Sequence, residues 1–253
     1  MHKLLTILCC CMTVAASAQQ GQLFTLELIK SKPGEMAAFE AAWQSHVAQF
    51  HANDKKVRYV HSILSGPNLG YYQLMEGPTS FAAMDGVNPQ KKAHDREYDE
   101  HVLPKIAVRE GNRIFKLIDS VSYNTSVHPD KILVSVYNLK RGALPAFLTE
   151  LKRTADIDKK TTSNASYNCY VLQLGGSKDQ VMVITNLPQG FAHLEAGISP
   201  VVPEAFKKAY IDSYTQKQWN RRETLLDDLV ENSDSFIAKL NKELSSPLEA
   251  TGK

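Results

Sequence analysis

The stretch with the most side chains capable of chemistry runs from residue 94 to residue 101 and reads His-Asp-Arg-Glu-Tyr-Asp-Glu-His. On an α-helix, four of these residues share one face, because residues three and four apart are neighbours on the helix surface. These four are His94, Glu97, Tyr98 and His101. Histidine and glutamate one turn apart can ligate a metal ion or transfer a proton. The stretch lacks the His-Glu-x-x-His pattern, and charges of both signs are typical of a solvated helix face, which is the interpretation we prefer.

A second group of polar residues lies among apolar ones. His46 falls on the apolar stripe of the first predicted helix, and Tyr59 and His61 point to one side of the second predicted strand. A pocket between this helix and the sheet could use all three, and apolar pockets with a few polar groups are the usual form of small-molecule sites. The competing interpretation is a core histidine that one hydrogen bond satisfies. We predict a ligand-binding site, with no catalytic residue and no metal ligand assigned, formed by His46, Tyr59, His61 and His94.

The elements that must position these residues follow from the period of the hydrophobic pattern. Residues 23–30 alternate between apolar and polar, which is the period of a half-buried strand. A Lys-Pro-Gly segment then opens a helix to about residue 50, with apolar residues at three- and four-residue spacing. The rest of this half is predicted to contain strands at 57–64, 69–75 and 113–121 and a helix from about 89 to 103.

The second half of the chain repeats this order. Residues 32–39 (KPGEMAAF) are matched by residues 140–147 (KRGALPAF), and each copy follows an apolar strand and opens an amphipathic helix. Further matches at turns and core positions follow in the same order, so the sequence predicts an internal duplication. The predicted units are 23–121 and 131–243, followed by a flexible tail at 244–253.

The order of elements predicts the fold class. Strand, helix, two strands, helix, strand is the order of a ferredoxin-like unit. One face of such a sheet lacks helices, and a second sheet can cover it. We therefore predict an α+β fold in which two ferredoxin-like repeats form a pseudo-dimeric α+β barrel. In this order the sequence resembles the dimeric α+β barrel superfamily, and its helix opening at 32–39 resembles those of the NIPSNAP-like and antibiotic-biosynthesis-monooxygenase-like families.

The resemblance implies several functions, because fold alone does not choose among them. Members of the superfamily include cofactor-free oxygenases, haem-degrading enzymes, isomerases and ligand-sensing domains, and His94 is similar in place to the haem-bound histidine of the haem-degrading members. We expect no cofactor, with haem as the alternative. The expected function is binding of a small apolar ligand in the N-terminal half of the barrel. The alternatives are an oxygenase-like enzyme, cofactor-free or haem-dependent, and a non-catalytic structural or interaction protein.

The two predicted units differ in the residues that could form a site. The second unit has Cys169 and Tyr210 where the first has His61 and His94. Only the first unit keeps several groups that titrate near neutral pH or ligate metals. We therefore expect any ligand or reaction to belong to the N-terminal half. Cys169 lies in an apolar run and is interpreted as a small buried side chain.

The N-terminal residues are typical of a secretory signal peptide. A short basic start precedes an apolar run at residues 4–16, which is shorter than the roughly 20 residues of a membrane span. Small residues at 16–18 suit cleavage, so residues 1–18 are predicted to be removed and the protein to be secreted or periplasmic. A lipoprotein signal is the alternative, because three cysteines lie in the run. Cleavage would leave Cys169 alone, so no internal disulfide is expected.

Composition narrows the class of partner. The chain has 253 residues, 43% hydrophobic and 22% charged, as in soluble globular proteins. Its formal net charge is only +2 and its basic residues do not cluster on one element, so nucleic acid is not an expected partner. We expect a small-molecule ligand, a monomer with an internal pseudo-dimer, and no membrane span in the mature chain.

Overall fold

The computed structural model describes residues 22–52, 56–124, 129–176, 179–195 and 203–246, so the predicted signal peptide lies outside the described residues. The described residues form one closed barrel of eight strands, in which neighbours are antiparallel and follow the order β1-β3-β2-β8-β5-β7-β6-β4. The strands are β1 (Leu23–Ser31), β2 (Val57–Ile63), β3 (Tyr72–Thr79), β4 (Ile106–Leu117), β5 (Lys131–Leu139), β6 (Tyr167–Leu174), β7 (Gln180–Asn186) and β8 (Val230–Leu240).

The closed barrel contradicts the prediction of two ferredoxin-like repeats with separate sheets. β2 pairs with β8, where His61 lies opposite Leu240, and β4 pairs with β6, where Leu117 lies opposite Tyr170. These two seams join the N-terminal and C-terminal halves by backbone hydrogen bonds, so the sheet is continuous. Separate sheets would leave edge strands with unpaired N–H and C=O groups, and closure pairs them.

Alternation along the strands separates an interior face from an outer face. On β1, Phe24, Leu26 and Leu28 point into the barrel, where they meet apolar side chains from the other seven strands. Ile29 points outward and packs against the helices of the N-terminal half. The predicted strand at 23–30 is thus confirmed, with one face toward the barrel core and the other toward helices.

Helices cover the outer face of the barrel. They are α1 (Met36–Phe50), α2 (Phe81–Met84), α3 (Lys91–Glu97), α4 (Leu144–Thr161), α5 (Ala192–Glu195), α6 (Glu204–Ser213) and α7 (Gln216–Leu229). A π-helical turn (Tyr98–Val102) and a 3₁₀ turn (Leu103–Lys105) extend α3, and another 3₁₀ turn lies at Asp119–Val121. Within the described part of the chain, none of the helices has the length and apolarity that a membrane span requires.

The two helix openings that the sequence singled out are glycine turns. Gly34 and Gly142 have φ of +77° and +79°, a conformation that glycine adopts without strain. Phe39 of α1 and Phe147 of α4 are 1% and 2% exposed, so the apolar stripe of each helix is buried at these positions. Met36 is 59% exposed and does not belong to the buried stripe, because it stands at the first position of α1, outside the helix–sheet contact.

Two strands of the N-terminal half differ from their predicted bounds by three residues or more. β3 begins at residue 72 instead of 69 and continues past residue 75, through Pro78, to Thr79. Pro78 is accommodated because the β1–β3 register shifts there, and a proline at a bulge needs no ladder hydrogen bond. β4 begins at Ile106 instead of 113, since residues 106–112 (IAVREGN) carry no apolar alternation and yet belong to the strand that pairs with β1.

The segment that follows β8 continues along β2. Asn241 N–H donates to the Val60 carbonyl over 2.8 Å, and the Ser245 hydroxyl accepts from Val60 N–H over 2.9 Å. Ser246 bonds the backbone of Arg58 in the same way, through its N–H over 3.0 Å and its hydroxyl over 3.1 Å. Residues 241–246 therefore extend the β2 seam beyond the end of β8. The predicted tail begins within this segment, and its residues from 247 onward lie outside the described part.

Candidate functional site

Three histidines meet on the outer face of the N-terminal half, and we call them the histidine cluster: His46 on α1, His51 just after α1, and His94 on α3. One ligand nitrogen from each lies within 4.8 Å of the others. His51 Nε2 is 3.2 Å from His46 Nε2 and 3.1 Å from His94 Nε2. His46 and His51 are buried, and His94 is half-buried. The cluster therefore brings three imidazole nitrogens to one point at the protein surface.

The end of α1 brings two of these rings together. Residues five apart on a continuous α-helix are about 140° apart around its axis, so His46 and His51 would face different directions. α1 ends at Phe50, and His51 leaves the helix with φ of −127° while its N–H still donates to the Val47 carbonyl over 2.9 Å. His51 can therefore turn back over the helix end towards His46 and His94.

Carboxylates orient two of the three rings. Glu97 bonds His46 Nδ1, and Asp95 Oδ1 lies 3.1 Å from His94 Nδ1. A carboxylate accepts a hydrogen bond, so each Nδ1 carries the proton of its neutral ring and each Nε2 presents a lone pair. His51 Nε2 has at most one proton to donate, so at one of its two contacts lone pairs face each other. A metal cation at this point would convert that repulsion into ligation, with carboxylate–histidine pairs supporting the ligands.

The protonation state of His46 suits ligation of a metal ion. Burial lowers the pKa of His46, and the hydrogen bond that His46 Nδ1 donates to Glu97 opposes this change only in part. The ring is therefore held in the neutral form near pH 7, which is the form that ligates metals.

A cavity of about 420 Å³, the outer cavity, adjoins the histidine cluster. Two ion pairs cross its wall, Arg58 with Glu76 over 2.7 Å and Arg109 with Glu27 over 2.6 Å. Its lining includes four acidic residues and two arginines, a balance that favours a cation. The buried hydroxyl of Tyr98, another lining residue, has no hydrogen-bond partner among the described residues.

The structure brings together two of the four residues predicted to form the ligand site. His46 and His94 belong to the cluster, whereas Tyr59 and His61 lie on the opposite face of β2, inside the barrel. The residues of the predicted solvated helix face do not share one environment. Glu97 and Tyr98 turn inward to His46, whereas His101 is exposed.

His51 was missed by the sequence analysis because it stands outside the predicted helix and outside any helical spacing with His46. Its only signal was a histidine at a predicted helix end, close to a histidine on the apolar stripe.

The corresponding residues of the C-terminal half do not form a comparable cluster. Cys169 is fully buried, and burial raises its pKa to about 12, so it is an unreactive thiol. Tyr210 is also fully buried and donates to the Glu150 carboxylate over 2.9 Å.

Comparisons with known proteins give a likeness in structure and none in sequence. No protein-family profile matches the chain, and no curated protein matches it. A candidate monooxygenase from Lactobacillus acidophilus has a TM-score of 0.55 at 9% identity over 89% of this chain and 96% of its own. A candidate monooxygenase from Fusobacterium nucleatum has a TM-score of 0.54 at 11% identity over 88% of this chain and 93% of its own. Chlorite dismutase from Candidatus Nitrospira defluvii has a TM-score of 0.51 at 8% identity over 89% of this chain and 94% of its own.

The chain shares the fold of these three solved proteins. The predicted resemblance to the dimeric α+β barrel superfamily is confirmed in fold only. Identities of this size show the fold alone, and they support neither the NIPSNAP-like assignment nor an internal duplication.

A histidine cluster can ligate either haem iron or a bare metal ion. A porphyrin fills the equatorial positions of its iron and leaves axial positions on opposite sides. Haem iron would therefore take at most two protein ligands, fewer than the three nitrogens of the histidine cluster, which lie within 4.8 Å of one another. The arrangement of the described residues therefore fits a bare ion better than haem.

Proposed function

We propose that the protein binds one divalent transition-metal ion through Nε2 of His46, His51 and His94, and that this ion acts on a small molecule in the outer cavity. The convergence of the three nitrogens, two of them oriented by carboxylates, carries the proposal. Three protein ligands leave a coordination position for water or substrate, as in catalytic zinc sites.

The spacing of the nitrogens supports a small ion. A tetrahedral zinc site with Zn–N bonds of about 2.0–2.1 Å holds its nitrogens about 3.3–3.4 Å apart. The two Nε2 distances from His51, 3.2 Å and 3.1 Å, are close to this separation, and the nitrogens of all three residues lie within 4.8 Å of one another. Imidazole ligands suit zinc, copper, iron and nickel, and they do not suit magnesium or calcium.

The cavity next to the ion supports action on a small molecule. The Arg109 guanidinium lies 5.3 Å from the centre of the Tyr98 ring, so a donor and an aromatic hydroxyl stand beside the cluster. A metal in this position would polarise a bound ligand or lower the pKa of a bound water. Oxygenase-like chemistry, which the shared fold suggests by analogy, would require iron or copper, because zinc has no redox chemistry.

The test is metal titration of protein freed of metal by chelation. Co²⁺, whose visible absorption reports its coordination, and Zn²⁺ by calorimetry should each bind at one ion per chain. His51→Ala and His94→Ala should weaken binding by more than the about 10–100-fold that loss of an outer partner costs. The matched control is His101→Ala, which removes an exposed histidine close to α3 and should leave the affinity unchanged.

The outcomes separate the competing cofactors. Equal Zn²⁺ affinity in wild type and in His51→Ala, with both variants folded by circular dichroism, would contradict the proposal. Stoichiometric haem binding with a Soret band, together with no Co²⁺ or Zn²⁺ binding, would assign the cluster to haem instead.

A further inference from the structure

A second cavity, which we call the arginine cavity, lies between α4 and α7 in the C-terminal half and has a volume of about 300 Å³. It shares none of its described lining residues with the outer cavity. Two of these residues, Ala146 and Leu225, are apolar. The polar ones are Thr149, Glu150 and Arg153 on α4 and Gln218, Arg221 and Arg222 on α7.

The spacing of the lining residues shows that each helix turns one stripe toward the cavity. On α4 they stand at positions 146, 149, 150 and 153, and on α7 at positions 218, 221, 222 and 225. Both sets follow the i, i+3, i+4, i+7 pattern of a single helix face. A face with this spacing that is turned toward a neighbouring element is usually apolar, because it packs there. Polar residues at six of these eight positions indicate a site for a polar ligand.

Positive charge exceeds negative charge in the arginine cavity. Glu150 is the only acid among its described lining residues, against three arginines. The Glu150 carboxylate lies 3.3 Å from Arg153 Nη1 and 3.2 Å from Arg222 Nε, so two cations share one anion. Arg221 is exposed, and its guanidinium forms no ion pair or hydrogen bond within the described part of the chain. Because arginine stays protonated, the described lining has two more positive than negative charges.

The arginine cavity also presents hydrogen-bond donors without acceptors. Arg222 Nε is buried and has no hydrogen bond to any described residue, although it lies 3.2 Å from Glu150 Oε1. The Arg222 guanidinium lies 5.4 Å from the centre of the Trp219 ring, and this cation–π contact holds it in place. Gln218 Oε1 accepts from the Thr215 hydroxyl over 3.1 Å, which leaves the Gln218 amide N–H groups as donors. These donors suit a ligand group that only accepts hydrogen bonds.

We propose that the arginine cavity binds a phosphate group, as the free ion or on a small phosphate ester, with Arg221 and Arg222 as its main ligands. A phosphate monoester carries a charge of about −1.5 to −2 near pH 7 and three acceptor oxygens, which match the excess of charge and of donors. Arginine binds phosphate through two parallel N–H donors. A single carboxylate would supply one negative charge and two oxygens, and so would leave positive charge uncompensated. This site is independent of the proposed metal site.

The experiment measures binding of inorganic phosphate and of methyl phosphate by calorimetry at low ionic strength, with the full chain freed of metal by chelation. Wild type should bind one phosphate per chain. Arg221→Gln and Arg222→Lys should each weaken binding about tenfold or more, because the first removes a charged donor and the second removes the paired N–H geometry. The matched control is Arg141→Gln, an exposed arginine just before α4 that does not line the cavity, and it should bind phosphate like wild type.

Each outcome decides the proposal. Binding of both probes supports a phosphate ester as the ligand, and binding of inorganic phosphate alone supports the free ion. If wild type binds neither probe at millimolar concentration, or if either cavity variant binds like wild type, the proposal is overturned. An equal loss in Arg141→Gln would overturn it too, since it would show general attraction to a positively charged surface. Acetate that binds as tightly as inorganic phosphate would overturn the preference for a phosphate group.

Discussion

The buried His61 predicts a dependence of stability on pH. Burial lowers the pKa of His61 from 6.5 to about 4, with no compensating charge. Between these two values the unfolded chain binds a proton at this ring and the folded chain does not. The unfolded state thus binds more protons, so the free energy of unfolding falls as pH falls through this window. Well above pH 6.5 the ring is neutral in both states and has no such effect.

The size of the effect follows from the shift. One pKa unit corresponds to about 1.4 kcal/mol, so the full shift of His61 corresponds to about 3 kcal/mol. Only part of this loss in the free energy of unfolding occurs at pH values above the folded-state pKa of about 4. Between pH 7.5 and pH 5 we expect the free energy of unfolding to lose about 2 kcal/mol through His61 alone.

The assay is urea unfolding of metal-free and ligand-free protein at several pH values, for wild type and His61→Gln. Glutamine does not titrate, so the wild-type stability minus the variant stability should fall by about 2 kcal/mol from pH 7.5 to pH 5. A difference that does not change with pH would refute the reasoning, since it would show that His61 is hydrated in the folded protein.

Two further predictions concern the core and the site. Phe39→Ala and Phe147→Ala should each lower the free energy of unfolding by about 3–5 kcal/mol in urea titrations. Phe191→Ala, at a half-exposed ring, should change it by no more than about 0.5 kcal/mol, and equal losses at all three positions would contradict the assigned core. Glu97→Gln should weaken Zn²⁺ binding about 10–100-fold by removing the carboxylate from His46 Nδ1. Glu100→Gln, an exposed neighbour, should bind Zn²⁺ like wild type, and an equal loss there would indicate a general charge effect.

The sequence predicted those strands whose faces differ in polarity. Strand β1 differs from its predicted bounds by one residue, because one side of it faces the barrel core and the apolar residues mark that side. The closing seams carry no such local signal. β2 meets β8 and β4 meets β6 through backbone hydrogen bonds between strands far apart in the chain, and side-chain periodicity does not encode these partners.

The candidate site was predictable only in part for a related reason. His46 lies on an apolar stripe and His94 on a polar helix, and both were predicted site residues because histidine can ligate metals and transfer protons. The face of β2 was the harder question, because both sides of this strand are covered by apolar groups, so Tyr59 and His61 could be read toward the helices. His51 joins the cluster through the geometry of a helix end, which no spacing rule anticipates.

The segment that extends the β2 seam has a consequence for how the protein is made. Residues 241–246 hold the backbone of Arg58 and Val60, and the Leu244 carbonyl accepts from the indole N–H of Trp43 over 3.0 Å. Trp43 and Arg58 both line the outer cavity beside the histidine cluster. A chain leaves the ribosome from its N-terminus, and domains commonly fold in that order during synthesis. Here the histidines leave the ribosome early, but the wall of the outer cavity beside them is complete only after residue 246 has been made. Nascent chains that stop short of this point carry all three histidines of the cluster without the finished wall of the outer cavity.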